Sequence, residues 1–213
     1  MLRNKFILNY IKNKEILDLG FLGENKDKDF SELHKFILNN SSKTLGVDVK
    51  KERIQELKNK GFNVIYDEVT RLKKVKELNK KFDVVFAGEL IEHLENPGIF
   101  LDNLKFLLKN QGIVIFSTPN IFALRYILRH FFLGKENPYW NDREEEIKYG
   151  HVLSFSKLLL ENLLLRKEFE IIDFAYVIKD EYEGIKGNIE KFISWIFPKL
   201  SPQMIYIYKL KNE

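Results

Sequence analysis

The sequence predicts a three-layer α/β sandwich built on a seven-stranded, mostly parallel sheet with a closing antiparallel strand. Three observations predict it. Short apolar runs alternate with amphipathic helical stretches over more than half the chain. The runs are unbroken by polar alternation, as expected of strands buried on both faces. Two further strand-like runs close the chain after the alternation has ended.

Taken in order, the strand candidates are EILDL at 15–19, KTLGVD at 43–48, FNVIY at 62–66, FDVVFAG at 82–88 and GIVIFST at 112–118. The helices between them are DFSELHKFILNN, KKERIQELKNK and IFLDNLKFLLKN. The last follows Asn96-Pro97-Gly98, where Asn96 suits an N-cap and Pro97 the first helical position. Beyond 118, residues 121–133 and 155–165 read as helices. FEIIDFAYV and QMIYIYKLK read as a closing antiparallel pair. No repeat, low-complexity tract or Gly/Pro/Ser-rich linker divides the chain, so residues 1–213 read as one domain.

Composition narrows the function classes. At 213 residues, with 45% hydrophobic and 31% charged side chains, the chain is long enough for a sizeable core and is not a disordered segment. Its 35 basic and 31 acidic residues leave a net charge of +4, which lacks the global excess typical of nucleic-acid binders. Zero cysteines exclude disulfides, thiolate metal sites and a cysteine nucleophile. The opening MLRNKFILNYIKNKE has apolar stretches too short for a signal-peptide core, and no uncharged run reaches membrane-spanning length, so the expected location is cytoplasmic.

In an open parallel sheet, ligands bind beyond the carboxyl ends of the strands. The first strand ends Asp18-Leu19-Gly20-Phe21-Leu22-Gly23-Glu24, in which Gly20 and Gly23 let backbone approach a ligand. The second ends in Asp48, placed to accept both hydroxyls of a ribose. The third ends in Asp67-Glu68, placed to accept from an adenine amino group. Three acidic strand ends suit a ligand that carries a sulfonium and no phosphate. Each residue alone also fits an ordinary turn or an N-cap. A nicotinamide dehydrogenase would share the sheet, but G-x-G-x-x-G is missing from the first turn.

This constellation resembles the class I methyltransferases, a Rossmann-like family, and the likeness is best over residues 15–120. The resemblance implies S-adenosylmethionine as cofactor, held by Asp18, Gly20, Gly23, Asp48, Asp67 and Glu68, with Gly88 and Glu89 from the fourth strand's end. The chain departs from the family in the loop. The usual D-x-G-x-G-x-G has become DLGFLGE, with Leu22 for the middle glycine and Glu24 for the last.

The fourth strand runs into AGELIEHLENPG, which spaces Glu89, Glu92 and His93 at i, i+3 and i+4, one face of a helical turn. Two carboxylates and an imidazole suit Mg²⁺, Mn²⁺ or, with a further histidine, Zn²⁺. The same E-x-x-E-H spacing resembles that of ubiquinone-pathway O-methyltransferases and small-RNA 2′-O-methyltransferases. In the RNA enzymes a later histidine completes the site, and here His151 in GHVLSF falls at a comparable place. The resemblance implies a metal, or in its absence His93 or His151 as base, activating an acceptor hydroxyl, with Glu89 beside them. The alternative is that the first acid contacts cofactor or substrate while the histidine only packs. His34, on the apolar face of SELHKFIL, reads as a core or cofactor-edge histidine.

Residues 119–151 mix aromatic and basic side chains, among them Phe122, Arg125, Tyr126, Arg129, Tyr139, Trp140, Asn141 and Arg143, and read as a substrate cap. Arg125 and Arg129, at i and i+4, either clamp an anionic group or form a solvated stripe. IEKFISWIFPKLSPQ reads as a dimer surface, a lid or a membrane-surface helix. The expected function is O-methylation of a small metabolite or a lipid-linked saccharide. A non-catalytic cofactor-binding subunit and RNA 2′-O-methylation stand as alternatives, and the near-balanced charge gives the latter no obvious surface.

Overall fold

The computed structural model describes residues 1–23, 29–134, 150–180 and 184–211. The elements run α1 (Arg3–Ile11), β1 (Glu15–Leu19), α2 (Glu32–Asn40), β2 (Lys43–Asp48), α3 (Lys51–Asn59), β3 (Val64–Tyr66), α4 (Lys73–Glu77), β4 (Phe82–Gly88), α5 (Pro97–Lys105) and β5 (Leu108–Pro119). They continue with α6 (Leu124–Leu133), α7 (Lys157–Arg166), β6 (Phe169–Val177), α8 (Gly184–Ile196) and β7 (Gln203–Leu210). Single 3₁₀ turns occupy Ile91–His93 and Pro198–Leu200.

The seven strands form one sheet in the order β3-β2-β1-β4-β5-β7-β6. Neighbours are parallel except at β7, which runs antiparallel to both β5 and β6. The strand order reverses between β1 and β4, so the crevice above their carboxyl ends is where an α/β sheet binds ligands.

Helices cover both faces because the strands are apolar on both faces. One face packs Leu17, Val85, Val114 and Tyr206 against Phe100 and Leu104 of α5 and Leu160 and Leu164 of α7. The other packs Ile16, Val84, Ile115 and Ile205 against Ile7 and Ile11 of α1 and Leu33 and Ile37 of α2. Three helices start at side-chain caps: Ser31 accepts from the His34 N–H (3.1 Å), Asn96 from Ile99 (3.1 Å) and Ser156 from Leu159 (3.2 Å). Pro97 takes the first turn of α5 as its fixed φ predicts.

Two boundaries differ from the sequence reading. β3 is only Val64–Tyr66. Helix α5 ends at Lys105, five residues short of the expected Asn110, and β5 begins early at Leu108, which pairs with Phe82. Leu107 and Leu108 are buried in the core, so tertiary packing overrides the helical propensity of KFLLKN. The ladder slips between Phe82 and Val84, and the extra length is absorbed by Gln111 at φ 62° and by Gly112, where a Cβ would stand 3.0 Å from the Phe82 carbonyl.

Candidate active site

The loop after β1 turns through two left-handed glycines, Gly20 (φ 74°) and Gly23 (φ 67°). A Cβ on Gly20 would meet Leu90 at 3.1 Å, so the loop passes close to the segment after β4. Between the glycines, Phe21 and Leu22 turn inward and are buried with Ile54, Leu57 and Val64. The Phe21 ring lies over Gly46 of β2, where a Cβ would stand 2.9 Å from it. The glycine missing at position 22 is thus a core position in this protein.

Asp48, at the end of β2, is buried and tied to that loop. Its carboxylate accepts from the Leu22 N–H (3.2 Å) and the Lys50 N–H (3.1 Å). Asp18 lies beneath the loop, 2.6 Å from Nδ1 of His34, whose ring packs 4.4 Å from that of Phe21. Burial pushes the Asp18 carboxyl up from its usual range, His34 opposes this, and the Asp48 charge adds to it. His34 is therefore a buried partner of the strand-end acid.

The third strand's acids are placed differently from each other. Asp67 is buried and accepts from the Glu68 N–H (2.9 Å) and the Val75 N–H of α4 (3.0 Å), so its carboxylate holds its own loop. Glu68 is exposed and accepts from the Thr70 hydroxyl at 2.9 Å, with Arg71 3.3 Å away. At the end of β4, Gly88 is packed so tightly that a Cβ would lie 2.7 Å from the Phe86 ring and 3.1 Å from Leu33.

Glu89 follows with φ 52°, a left-handed conformation that costs a non-glycine residue energy. The chain therefore swings before the 3₁₀ turn begins at Ile91, and Glu89, Glu92 and His93 do not share one helical face. The structure instead brings together Glu92, His93 and His151, whose ligand atoms lie within 4.8 Å of one another, with Glu89 outside the trio. The two imidazoles meet edge to face at 4.5 Å. Their approach is fixed by backbone: the Val152 and Leu153 N–H groups both donate to the Glu92 carbonyl, at 2.9 and 3.0 Å.

The electrostatics of the cluster follow from burial. Glu92 is fully buried, and desolvation followed by the Glu89 charge pushes its carboxyl well above the usual range, while the bond from the Thr118 hydroxyl (3.1 Å) and Lys179 oppose this. Burial and then His93 bring His151 down from 6.5 to about 4, against the pull of Glu89. His93 Nδ1 lies 3.2 Å from the Gly150 carbonyl, which can only accept, so Nδ1 is the donor of this bond. One oxygen each of Glu89 and Glu92 is buried and unpaired among the described residues.

Two members of this site were not read from the sequence. Thr118 stands at the end of β5, where the strand-end rule would have found it. Lys179, 3.2 Å from Glu89, follows β6 and carried no local signal. In α6, Arg125 stands 3.7 Å from Glu190 of α8, and its Nη2 donates to the Tyr126 hydroxyl (2.8 Å). Glu24, Tyr139, Trp140, Asn141 and Arg143 lie outside the described residues. Among the described residues no helix is long and apolar enough to cross a membrane.

Comparison with known proteins agrees with this architecture. A family model described as "Methyltransferase domain" matches residues 10–173. A ubiquinone biosynthesis O-methyltransferase of Pelagibacter ubique is 27% identical over 199 residues, covering 86% of this chain and 76% of that protein. One of the same name from Bradyrhizobium diazoefficiens is 26% identical, over 78% of this chain and 64% of that protein. Among solved structures, an S-adenosylmethionine-dependent methyltransferase of Archaeoglobus fulgidus superposes with TM-score 0.62 at 18% identity, over 97% of this chain and 91% of that one. One from Clostridium acetobutylicum gives 0.61 at 16%, over 98% and 88%. The chain belongs to the methyltransferase-domain family, with the class I architecture of S-adenosylmethionine-dependent enzymes.

Proposed function

We propose that this methyltransferase transfers the methyl group of S-adenosylmethionine to a hydroxyl of a small metabolite or lipid-linked saccharide. The observation that carries the reading is the Glu92, His93 and His151 cluster beside the β4 end, with the His93 ring oriented by its Nδ1 bond to the Gly150 carbonyl. The names of the relatives, O-methyltransferases of ubiquinone biosynthesis, support the hydroxyl as acceptor.

The residues fit the cofactor. Gly20 and Gly23 curl the backbone at the sheet's crevice, and Glu89 offers a buried, unpaired carboxylate oxygen to a cationic group. The cofactor, when bound, supplies an electrophilic methyl carbon on a sulfonium. Asp48 holds the loop that would line it, and Phe21 and Leu22 keep that loop fixed to the core.

An acceptor held here would lose its hydroxyl proton as its oxygen took the methyl group and the cofactor left as the thioether. His93 Nε2 takes that proton. His151, at about 4, is neutral at neutral pH but too weak a base to hold a proton there, so it serves to position His93 or to donate its lone pair to a cation.

The trio also fits a divalent metal. Two imidazoles and one carboxylate suit Mn²⁺ or Zn²⁺ better than the oxygen-preferring Mg²⁺. Such an ion would lower the hydroxyl's pKa.

The test is calorimetric binding of S-adenosylhomocysteine followed by methyl transfer to a panel of phenols and saccharides, with and without Mn²⁺ or Zn²⁺. Turnover that falls at least about a hundredfold in His93→Gln, with cofactor binding kept, is the expected result. Cofactor binding without turnover on any hydroxyl would sink the reading.

A further inference from the structure

Helix α8 turns the wrong side outward for a helix packed on a sheet. Ile185, Ile189, Phe192, Trp195 and Ile196 are spaced at i, i+4, i+7, i+10 and i+11, one stripe of the helix, and they are 81%, 53%, 60%, 77% and 44% exposed. Ser194, on another side of the helix, is buried, and Glu190 faces Arg125 of α6 at 3.7 Å. A polar side is thus seated on the protein, and the large apolar chains are left in water.

The stripe is held in place. The Asn120 side chain donates to the carbonyls of Lys199 and Ser201, both at 2.9 Å, and its N–H donates to Pro202 at 3.0 Å. These bonds tie the segment after α8 to the end of β5. The stripe continues into Phe197, 58% exposed.

We propose that this face of α8 docks the protein on an anionic lipid bilayer. The charge around the stripe selects that occupant. From Gly187 to Pro202 the chain carries Lys191 and Lys199 and a single acid, Glu190, which is already engaged by Arg125. In a twofold contact between two copies, the same lysines would be brought toward one another, because such an interface presents one patch to itself. An anionic surface satisfies them instead. Trp195 and Phe192, 6.4 Å apart, have the amphipathic or aromatic character that settles at the headgroup boundary. A helix of this kind lies in the interface with its apolar face about 5–10 Å deep.

The experiment is co-sedimentation of the full chain with vesicles of phosphatidylcholine alone and of phosphatidylcholine mixed with phosphatidylglycerol, at low and high salt. Tryptophan emission is followed in a Trp140→Phe background, so that Trp195 alone reports. Binding to the mixed vesicles with a blue shift of Trp195, weakened by salt, is expected. Phe192→Ser combined with Trp195→Ser should weaken it at least about tenfold with an unchanged thermal melt, as loss of two buried aromatics predicts. Lys191→Glu combined with Lys199→Glu should remove the preference for phosphatidylglycerol while leaving the melt unchanged. Absence of binding to the mixed vesicles overturns the proposal. So does binding that the aromatic pair leaves untouched, or a concentration-dependent dimer that those substitutions abolish in a protein that ignores vesicles.

Discussion

Lys179 Nζ stands 3.2 Å from the Glu89 carboxylate, so a cation from beyond β6 reaches across the sheet's end to the acid that follows β4. Glu92, buried beside them, is held up by desolvation and by the Glu89 charge, and Lys179 works against both. Removing the lysine therefore raises Glu92 further. In Lys179→Met the acid limb of the pH–rate profile should move to higher pH, with Lys179→Arg restoring its place. A profile unchanged in shape in the methionine variant would show that the pair only packs.

Asp48 is the strut of the loop after β1. Asp48→Ala leaves the N–H groups of Leu22 and Lys50 without their acceptor. An unsatisfied buried donor costs about 1–3 kcal/mol, so the melting temperature should fall and S-adenosylhomocysteine binding should weaken more than about tenfold. Titration calorimetry beside a thermal melt measures both. Affinity retained in a protein that melts lower would assign Asp48 to the fold alone.

Gly46 sets the seat of Phe21. The added methyl of Gly46→Ala would lie 2.9 Å from the ring, and overpacking of this kind costs about 1–3 kcal/mol. Because Phe21 carries the loop with it, cofactor binding should weaken together with stability. Phe21→Leu in the same chain relieves the clash and should recover part of both losses.

His151 predicts a pH-dependent stability in metal-free protein. Its folded-state value is about 4 against 6.5 unfolded, so between those values the unfolded chain binds more protons. Its contribution is thus fully present above 6.5 and lost as pH falls toward 4. Chemical denaturation in chelator should show wild type losing stability through that window more steeply than His151→Gln. Parallel curves would show that His151 is not desolvated beside Glu92 and His93.

The strands carried their own signals. EILDL, KTLGVD and FDVVFAG form β1, β2 and β4 with the same boundaries, because apolar runs of this kind are buried on two sides, and FEIIDFAYV forms the edge strand β6 with its boundaries likewise unchanged. The start of β5 was hidden, since Leu107 and Leu108 are drawn into the sheet by Phe82, a contact no local window contains. At the site, Asp48 and His151 were legible as residue types at strand ends and loops. That Glu89 would break from the turn at positive φ, and that Lys179 would meet it, depends on the segments after β4 and β6, remote in sequence, meeting at one end of the sheet.

Phe21 and Leu22, buried against α3 and β3, change when the stretch from Gly20 to Leu22 surrenders its freedom. A loop of bare glycines must be ordered by its ligand, and part of the binding energy is consumed in doing so. Here the core imposes that order while the chain folds. A ligand reaching this crevice meets a preset surface over Gly20 to Leu22, so affinity there is governed by contacts and very little by the entropy of closing the loop.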